Sequence, residues 1–582
     1  MLSRNSRSKL EMRIRNKLLC LLATASLATQ AQNISQIAQS DPLIMTGVVG
    51  TRNTYYHSSV GDGYAAPMSN LFYLNLNINY KDFSMPVSFY FTNDNLDFNH
   101  PHVSFSLNPR YKNWTGYIGR NSMAFSNYVM NMSFNGVGIE YNDQHSFHFG
   151  AFYGVLRNAI NDDPNSSSAR YPQYKRLGWG VKVGYGNSNN YIDLYFLRAY
   201  DRLKSLDDHW QQRLAPQENI VVGLKGSIRP IQWFSLTGNL ATSLFTSDMR
   251  IEQVKTEQAD KWGGIFDTRY SSMARLAGDV SATFTLKNLL NASLVYRVIQ
   301  PDYTSLGTYY MANNYQSFGV NVSAMPVQNL TLMGTFSAQS DNLTQKQLYT
   351  TRGFVYSLMA STRIGQHFNI SAGYNGYTQN QGDGAVKVTD STKVNRVMRS
   401  FSLTPSASFY GEEMTHSISL SASLTQNRDR NKKTSGNSDV TSKAVGLGYT
   451  MGVMNWDMDF MANLSHQVSS GYKNKYISSI ATLGASRSFF KDKGMNVTLN
   501  VNFCMNELEK KTKTFSVGGD LSLGYTLNRV HVFSVMAGVN KYNDVNLTLQ
   551  GKDPDAMDIS ASLNYTYTFS LFDMGGKAGK RY

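Results

Sequence analysis

Residues 70–80 read NLFYLNLNINY. Phe72, Leu74, Leu76, Ile78 and Tyr80 fall on one parity, and Asn75, Asn77 and Asn79 on the other. The alternation returns along the chain. Ile418, Leu420, Ala422 and Leu424 alternate with serines. Met495, Val497, Leu499, Val501 and Phe503 alternate with Asn and Thr. Ile559 to Phe569 repeats the pattern near the end. A period of two marks β-strands. Each segment runs roughly 9 to 14 residues. Soluble strands average about 5–6 residues, whereas a tilted membrane-crossing strand needs about 9–11.

The connections carry a second signal. Short ones are expected near 82–84, 110–112, 142–144, 187–189, 229–230, 287–288, 326–328, 365–366, 409–413, 453–454, 491–493 and 528–530. Longer polar ones lie between them, among them 121–133, 155–176, 200–218, 242–271 and 303–314. Short turns on one side and long loops on the other are the habit of bacterial outer-membrane barrels. Residues 43–56 supply a first strand, with 57–69 as its following long loop. The count is then about 26 strands, within a range of 22–26. The expected fold is all-β, a single transmembrane antiparallel β-barrel with short periplasmic turns and long extracellular loops. Its apolar parity faces lipid and its amide parity faces the lumen, because in hydrocarbon only helices and closed barrels satisfy every backbone group. The alternative for 43–56 is an inward-folded plug segment.

Composition sharpens this picture. The charged fraction is 16%, below the roughly 25% of soluble proteins. Arg13, Arg15 and Lys17 precede the apolar run LLCLLATASLA, and Thr29-Gln30-Ala31 offers small residues at a cleavage site. Residues 1–31 therefore read as a secretory signal peptide. Residues 32–42 form a short periplasmic lead, 43–573 the barrel, and 574–582 a polar tail. Without the signal's six Lys/Arg and one Glu, the net charge falls from +15 to about +10, and Cys504 is the one cysteine left. No disulfide and no cysteine metal site follows. The basic balance suits lipopolysaccharide phosphates and anionic headgroups better than nucleic acid. Arg198 and Arg399 fall on the apolar parity, where snorkelling to phosphate is expected.

The segments MPVSFYFTNDNLDF, VSFSLNPRYKNWTGYIGRNSMAFSNYVM, FNGVGIEY and FHFGAFYGVLRNAI, within 85–160, resemble outer-membrane barrel proteins of the Bacteroidetes that have no assigned activity. The resemblance implies location and fold only. Tyr565, Tyr567 and Phe569 resemble the C-terminal signal read by outer-membrane assembly machinery, although the tail DMGGKAGKRY follows. A 26-strand count is also similar to that of the lipopolysaccharide-export barrel, but the large periplasmic domain of that family is not expected here.

Parity assigns a set of polar side chains to the lumen: Glu140, His148, Lys182, Asp193, Lys225, Arg275, Asp279, Arg297, Asp457, Asp459 and Asp520. Their signs are mixed. A dedicated ion pore shows rings of one sign, so pairing across the wall is the expectation. No catalytic constellation, P-loop, zinc motif or cofactor fingerprint appears, and an enzyme is not expected. Two functions fit. The first is a channel or transporter for hydrophilic solutes, restricted by its own loops. The second is a non-conducting component of an assembly, secretion or surface-display complex, with a lipoprotein or other subunit filling the lumen. The choice turns on what occupies a barrel this wide.

Overall fold

A computed structural model describes residues 43–60, 67–93, 103–143, 146–162, 170–254, 266–287, 289–431, 433–472, 474–509, 512–543 and 555–571. The expected signal peptide, lead and tail lie outside the described residues. The strands are β1 (Ile44–Ser58), β2 (Met68–Tyr80), β3 (Phe83–Thr92), β4 (Val103–Leu107 with Arg110–Tyr111), β5 (Trp114–Asn121), β6 (Phe134–Asn142), β7 (Phe147–Arg157), β8 (Arg176–Gly186) and β9 (Tyr191–Asp201). They continue as β10 (Glu218–Ile231), β11 (Phe234–Thr246), β12 (Ser272–Leu286), β13 (Leu290–Ile299), β14 (Tyr315–Val327), β15 (Leu330–Asp341), β16 (Tyr349–Ile364), β17 (Phe368–Asp383) and β18 (Asn395–Tyr410). The last eight are β19 (Met414–Asp429), β20 (Val440–Val453), β21 (Met458–Ser470), β22 (Lys475–Phe489), β23 (Met495–Leu508), β24 (Thr512–Leu527), β25 (His531–Asn543) and β26 (Asp555–Leu571).

Each strand pairs antiparallel with its sequence neighbours, and β1 pairs with β26 from Met45↔Leu571 to Ser58↔Asp558. The wall is a closed 26-stranded antiparallel barrel. Residues 43–56 thus form the first strand and not a plug segment. Both ends of the described chain reach the same rim, the one carrying the β2–β3 turn.

Closure depends on two glycines of β1. Gly50 faces the lumen, where a Cβ would meet the Tyr73 ring at 2.4 Å. Its bare backbone lets the Tyr73 hydroxyl of β2 reach across β1 to Thr566 Oγ1 of β26, at 2.8 Å. On the outer face, the ring of Phe569 lies over Gly47.

Outward parity is apolar around the wall. Ile192, Leu194, Val280, Phe354, Leu358, Ile418, Leu420, Leu499 and Leu563 stand exposed, as they must where lipid replaces water. Near the rim that carries the β2–β3 turn, aromatic rings pack side by side on this face. Trp114 meets Tyr141, Trp233 meets Phe284, His416 stacks on Tyr449, and Phe533 lies against Tyr565. Such a girdle marks a membrane interface.

Three local expectations change. β10 continues past 229–230 to Ile231, with a register shift between Ile228 and Ile231, so its turn falls at 232–233. A bulge inserts residues without breaking the apolar alternation, so the pattern alone misplaces the turn. The strand expected to begin near Trp456 begins at Met458, because Met454–Trp456 forms a 3-10 turn. Arg198, expected to reach for phosphate, has a protein partner: its Nη2 pairs with Glu218 Oε1 at 2.7 Å.

Candidate functional site: a lumen partly filled by two inward loops

The β5–β6 loop, residues 122–133, and the β13–β14 loop, 300–314, fold into the barrel and meet each other. The amides of Asn131 and Met132 both donate to the Gly307 carbonyl at 3.1 Å. The Tyr303 hydroxyl donates to the Tyr128 carbonyl at 2.9 Å, and the Ser305 hydroxyl to the Val129 carbonyl at 2.6 Å. Val129, Met130, Tyr303 and Leu306 are all at most 3% exposed. They share one apolar cluster with lumen-facing Phe152, Leu197, Val221 and Ala277. Burying each such aliphatic side chain contributes roughly 1.5–3 kcal/mol. The pair of loops is therefore a resident part of the fold.

The wall is shaped to receive them. The inner face of β8 reads Gly178, Gly180, Lys182, Gly184, with Gly138 on β6, Gly150 and Gly154 on β7 and Gly223 on β10. A Cβ at Gly223 would meet Val129 Cγ2 at 2.6 Å, and one at Gly180 would meet Phe152 at 2.7 Å and Phe125 at 3.2 Å. Missing side chains make room for the loop side chains. In the converse direction, a Cβ on loop residue Gly307 would meet Leu197 at 2.5 Å.

Polar wall residues fasten the loops. The Ser126 hydroxyl donates to Asn239 Oδ1 at 2.8 Å, and the Tyr128 hydroxyl to Asp279 Oδ1 at 2.5 Å. Lys182 Nζ donates to the Ala124 carbonyl at 3.2 Å and to Glu140. Glu140 also accepts from the Tyr117 hydroxyl at 2.5 Å. On the second loop, the Leu306 amide donates to Asn219 Oδ1 at 3.0 Å, the Ser243 hydroxyl to the Thr304 carbonyl at 2.5 Å, and Arg275 Nε to the Pro301 carbonyl at 2.8 Å.

Most of the charged residues assigned to the lumen from parity come together here. His148, Asp193, Lys225, Asp279 and Arg297 lie on one cross-strand row. Its successive register partners are His148, Gly184, Asp193, Lys225, Asn239, Asp279 and Arg297, from β7 to β13. His148 Nε2 and Asp193 Oδ1 meet at 2.5 Å over Gly184. Lys182 reaches Glu140 in the same manner over Gly150, whose Cβ would meet Lys182 Cε at 2.7 Å. Glycine between the partners lets an ion pair skip a strand. The row carries both signs, so it screens itself and presents no single-sign ring.

The other three sit elsewhere. Asp520 on β24 accepts from Asn500 Nδ2 at 2.7 Å, far around the wall. Asp459 opens β21 opposite Gly452, near the rim. Asp457 departs from its expected place on a strand. It ends the 3-10 turn in the left-handed region, φ 48°, and pairs with Lys493 of a neighbouring turn at 2.8 Å.

A lumen restricted by the chain's own loops was expected, but not that 122–133 and 300–314 are the loops that turn inward. Two signals for them exist in the sequence. Segment 122–133, SMAFSNYVMNMS, is apolar and uncharged where an exposed loop is polar, and glycine recurs on the wet parity of 136–184.

No protein-family model and no curated protein matches the chain. Among solved structures, the P pilus usher PapC translocation pore is similar at 10% identity and a TM-score of 0.36, over 90% of this chain and all of that one. Pseudomonas aeruginosa OprD is similar at 10% identity and a TM-score of 0.30, over 65% of this chain and 94% of that one. Acinetobacter baumannii OccAB3 is similar at 9% identity and a TM-score of 0.31, over 68% and 99%. At these scores the likeness carries no functional weight.

Proposed function

We propose that this chain is an outer-membrane channel for hydrophilic solutes whose lumen is restricted by its own β5–β6 and β13–β14 loops. The supporting observation is the pair of loops seated against a glycine-lined inner wall. An unobstructed 26-stranded lumen would abolish the permeability barrier, since barrels of 22 strands already carry a plug. A filling encoded by the chain itself serves a channel of limited bore. It removes the need for a separate subunit in the lumen, which the complex-component reading requires. In this proposal the rim with the chain ends faces the periplasm, and lipopolysaccharide surrounds the opposite rim.

Inside the barrel the Asp193–Lys225–Asn239–Asp279–Arg297 row leaves no net single charge. Passage is therefore expected to select by size and hydrogen bonding over sign. The test is liposome swelling with the purified protein alone. Uptake of small neutral solutes with a sharp size limit supports the proposal. Impermeable liposomes containing correctly folded barrel would refute it.

A further inference from the structure

The charged row changes character beyond Arg297. Its next register partners are Ser317, Gln339, Gly353, Gln379 and Arg396, on β14 to β18. Here the inner wall and the end of the β13–β14 loop, at Ala312 and Asn313, line an open cavity of about 910 Å³. That is the size of a small-ligand site, typically about 300–1,000 Å³. Tyr315, Gln339, Asn375, Tyr377 and Gln379 line it, with Asp341 as the single carboxylate.

Two observations describe the polar groups of this cavity. Some inner-face polar groups on the later strands pair with each other. Ser442 meets Ser469 at 2.8 Å, Thr482 donates to Asn502 at 2.8 Å, Ser486 meets Thr498 at 3.0 Å, and Asn500 donates to Asp520. By contrast, the side-chain amides of Gln339, Asn375 and Gln379 and the Tyr377 hydroxyl make no hydrogen bond among the described residues. Second, two of the charged side chains nearby have partners. Asp341 Oδ1 accepts from the Thr351 amide at 2.5 Å, and Arg297 holds the Tyr315 hydroxyl beside Asp279. Gly353, between Gln339 and Gln379 in the row, leaves the space between the two amides open; a Cβ there would press on Gln339.

From this arrangement we propose that the cavity is a binding subsite for a neutral, polyhydroxylated solute, a short oligosaccharide. The assignment rests on the channel reading and deepens it. An amide both donates and accepts, which matches sugar hydroxyls that do the same. A tyrosine ring offers an apolar face to the C–H side of a pyranose and a hydroxyl at its edge. Asp341 is the single carboxylate of the lining and Arg396 borders it across from Gln379, so neutral amides and tyrosines make up most of the polar lining.

The experiment is isothermal calorimetry on the full-length barrel in detergent, so that the result does not depend on conduction. Maltotriose, cellotriose and xylotriose are the probes, and triglycine is the comparison. Saturable binding of at least one trisaccharide, with none of triglycine, is expected. Gln339→Ala with Gln379→Ala should weaken it about ten-fold or more, since each lost hydrogen bond is worth about 1 kcal/mol. Tyr377→Ala should also weaken it, and Tyr377→Phe should keep most of it. Thr482→Ala, on β22 and outside the cavity, should leave it unchanged. Heat-modifiable gel migration checks that every variant is folded. Binding of none of the sugars, equal binding by the amide double variant, or preferential binding of triglycine would overturn the assignment. A barrel that binds sugar yet leaves liposomes impermeable would refute the channel and spare the subsite.

Discussion

The hydroxyl of Tyr128 donates to Asp279 Oδ1 at 2.5 Å, joining a loop residue to the middle residue of β12, 151 positions away in sequence. A hydrogen bond to a charged group contributes roughly 1.5–3 kcal/mol. It acts together with Ser126–Asn239 and the buried Val129 and Met130, so losing it loosens the loop without expelling it. Tyr128→Phe is expected to keep the barrel folded and to add fast fluctuations to single-channel current. A current as quiet as wild type would show that the bond does not hold the loop.

Gly223 offers a stronger perturbation. Any side chain there enters the volume of Val129 Cγ2, 2.6 Å from a Cβ. The wall strand is held by continuous ladders on both sides and the loop by scattered bonds, so the loop is the part that moves. Gly223→Leu is expected to displace the β5–β6 loop and raise conductance, with unchanged heat-modifiable migration. A cysteine pair gives the opposite effect. In a Cys504→Ser background, oxidised Ser126→Cys with Asn239→Cys should fix the loop and silence fluctuations, and reductant should restore them.

The seam between β1 and β26 bears on stability. Gly50→Val would put a side chain into the Tyr73 ring and break its reach to Thr566. Overpacking of this kind costs about 1–3 kcal/mol. The expected result is a barrel that loses its compact gel migration at a lower temperature than wild type. Tyr73→Phe removes only the hydroxyl and should have a smaller effect.

Outside the wall, two loop ion pairs set an acid limit. Hydrogen bonds from the Arg170 side chain and amide hold the Asp162 carboxyl at about 2. The Arg250 side chain holds Asp248 below the usual carboxylate range, and Arg250 also donates to the Gln211 carbonyl. A depressed carboxylate stabilises above its unfolded pKa of about 3.9, and the contribution is lost as pH falls through the folded value. Pepsin should therefore spare 158–162, 170–175 and 247–254 near pH 4 and cut them as the pH approaches 2. Equal cutting at both pH values would contradict the pairs.

Strand number and lumen parity were readable because the outer face must be apolar and side chains alternate strictly. The same alternation assigns Asp193, Lys225, Asp279 and Arg297 to one face without any knowledge of neighbours. That they form one row was not readable, because it depends on the register of six strand pairs, which no single strand encodes. Asp457 misled because a 3-10 turn and its left-handed closing residue continue the alternation of the strand that follows. Which loops turn inward was not readable because a loop's direction is set by what it packs against, and the partners of these two, such as Leu197 and Val221, lie on other strands. The bulge at Ile228–Ile231 escaped for a similar reason: it shifts pairing without changing composition.

The most direct measurement compares single-channel conductance of the wild-type barrel with a variant whose residues 123–131 are replaced by a short glycine–serine linker. If these loops restrict the lumen, wild type shows small, stable steps and the variant steps several-fold larger, with looser size exclusion. Equal conductance in two folded barrels would contradict the loops' role as the restriction.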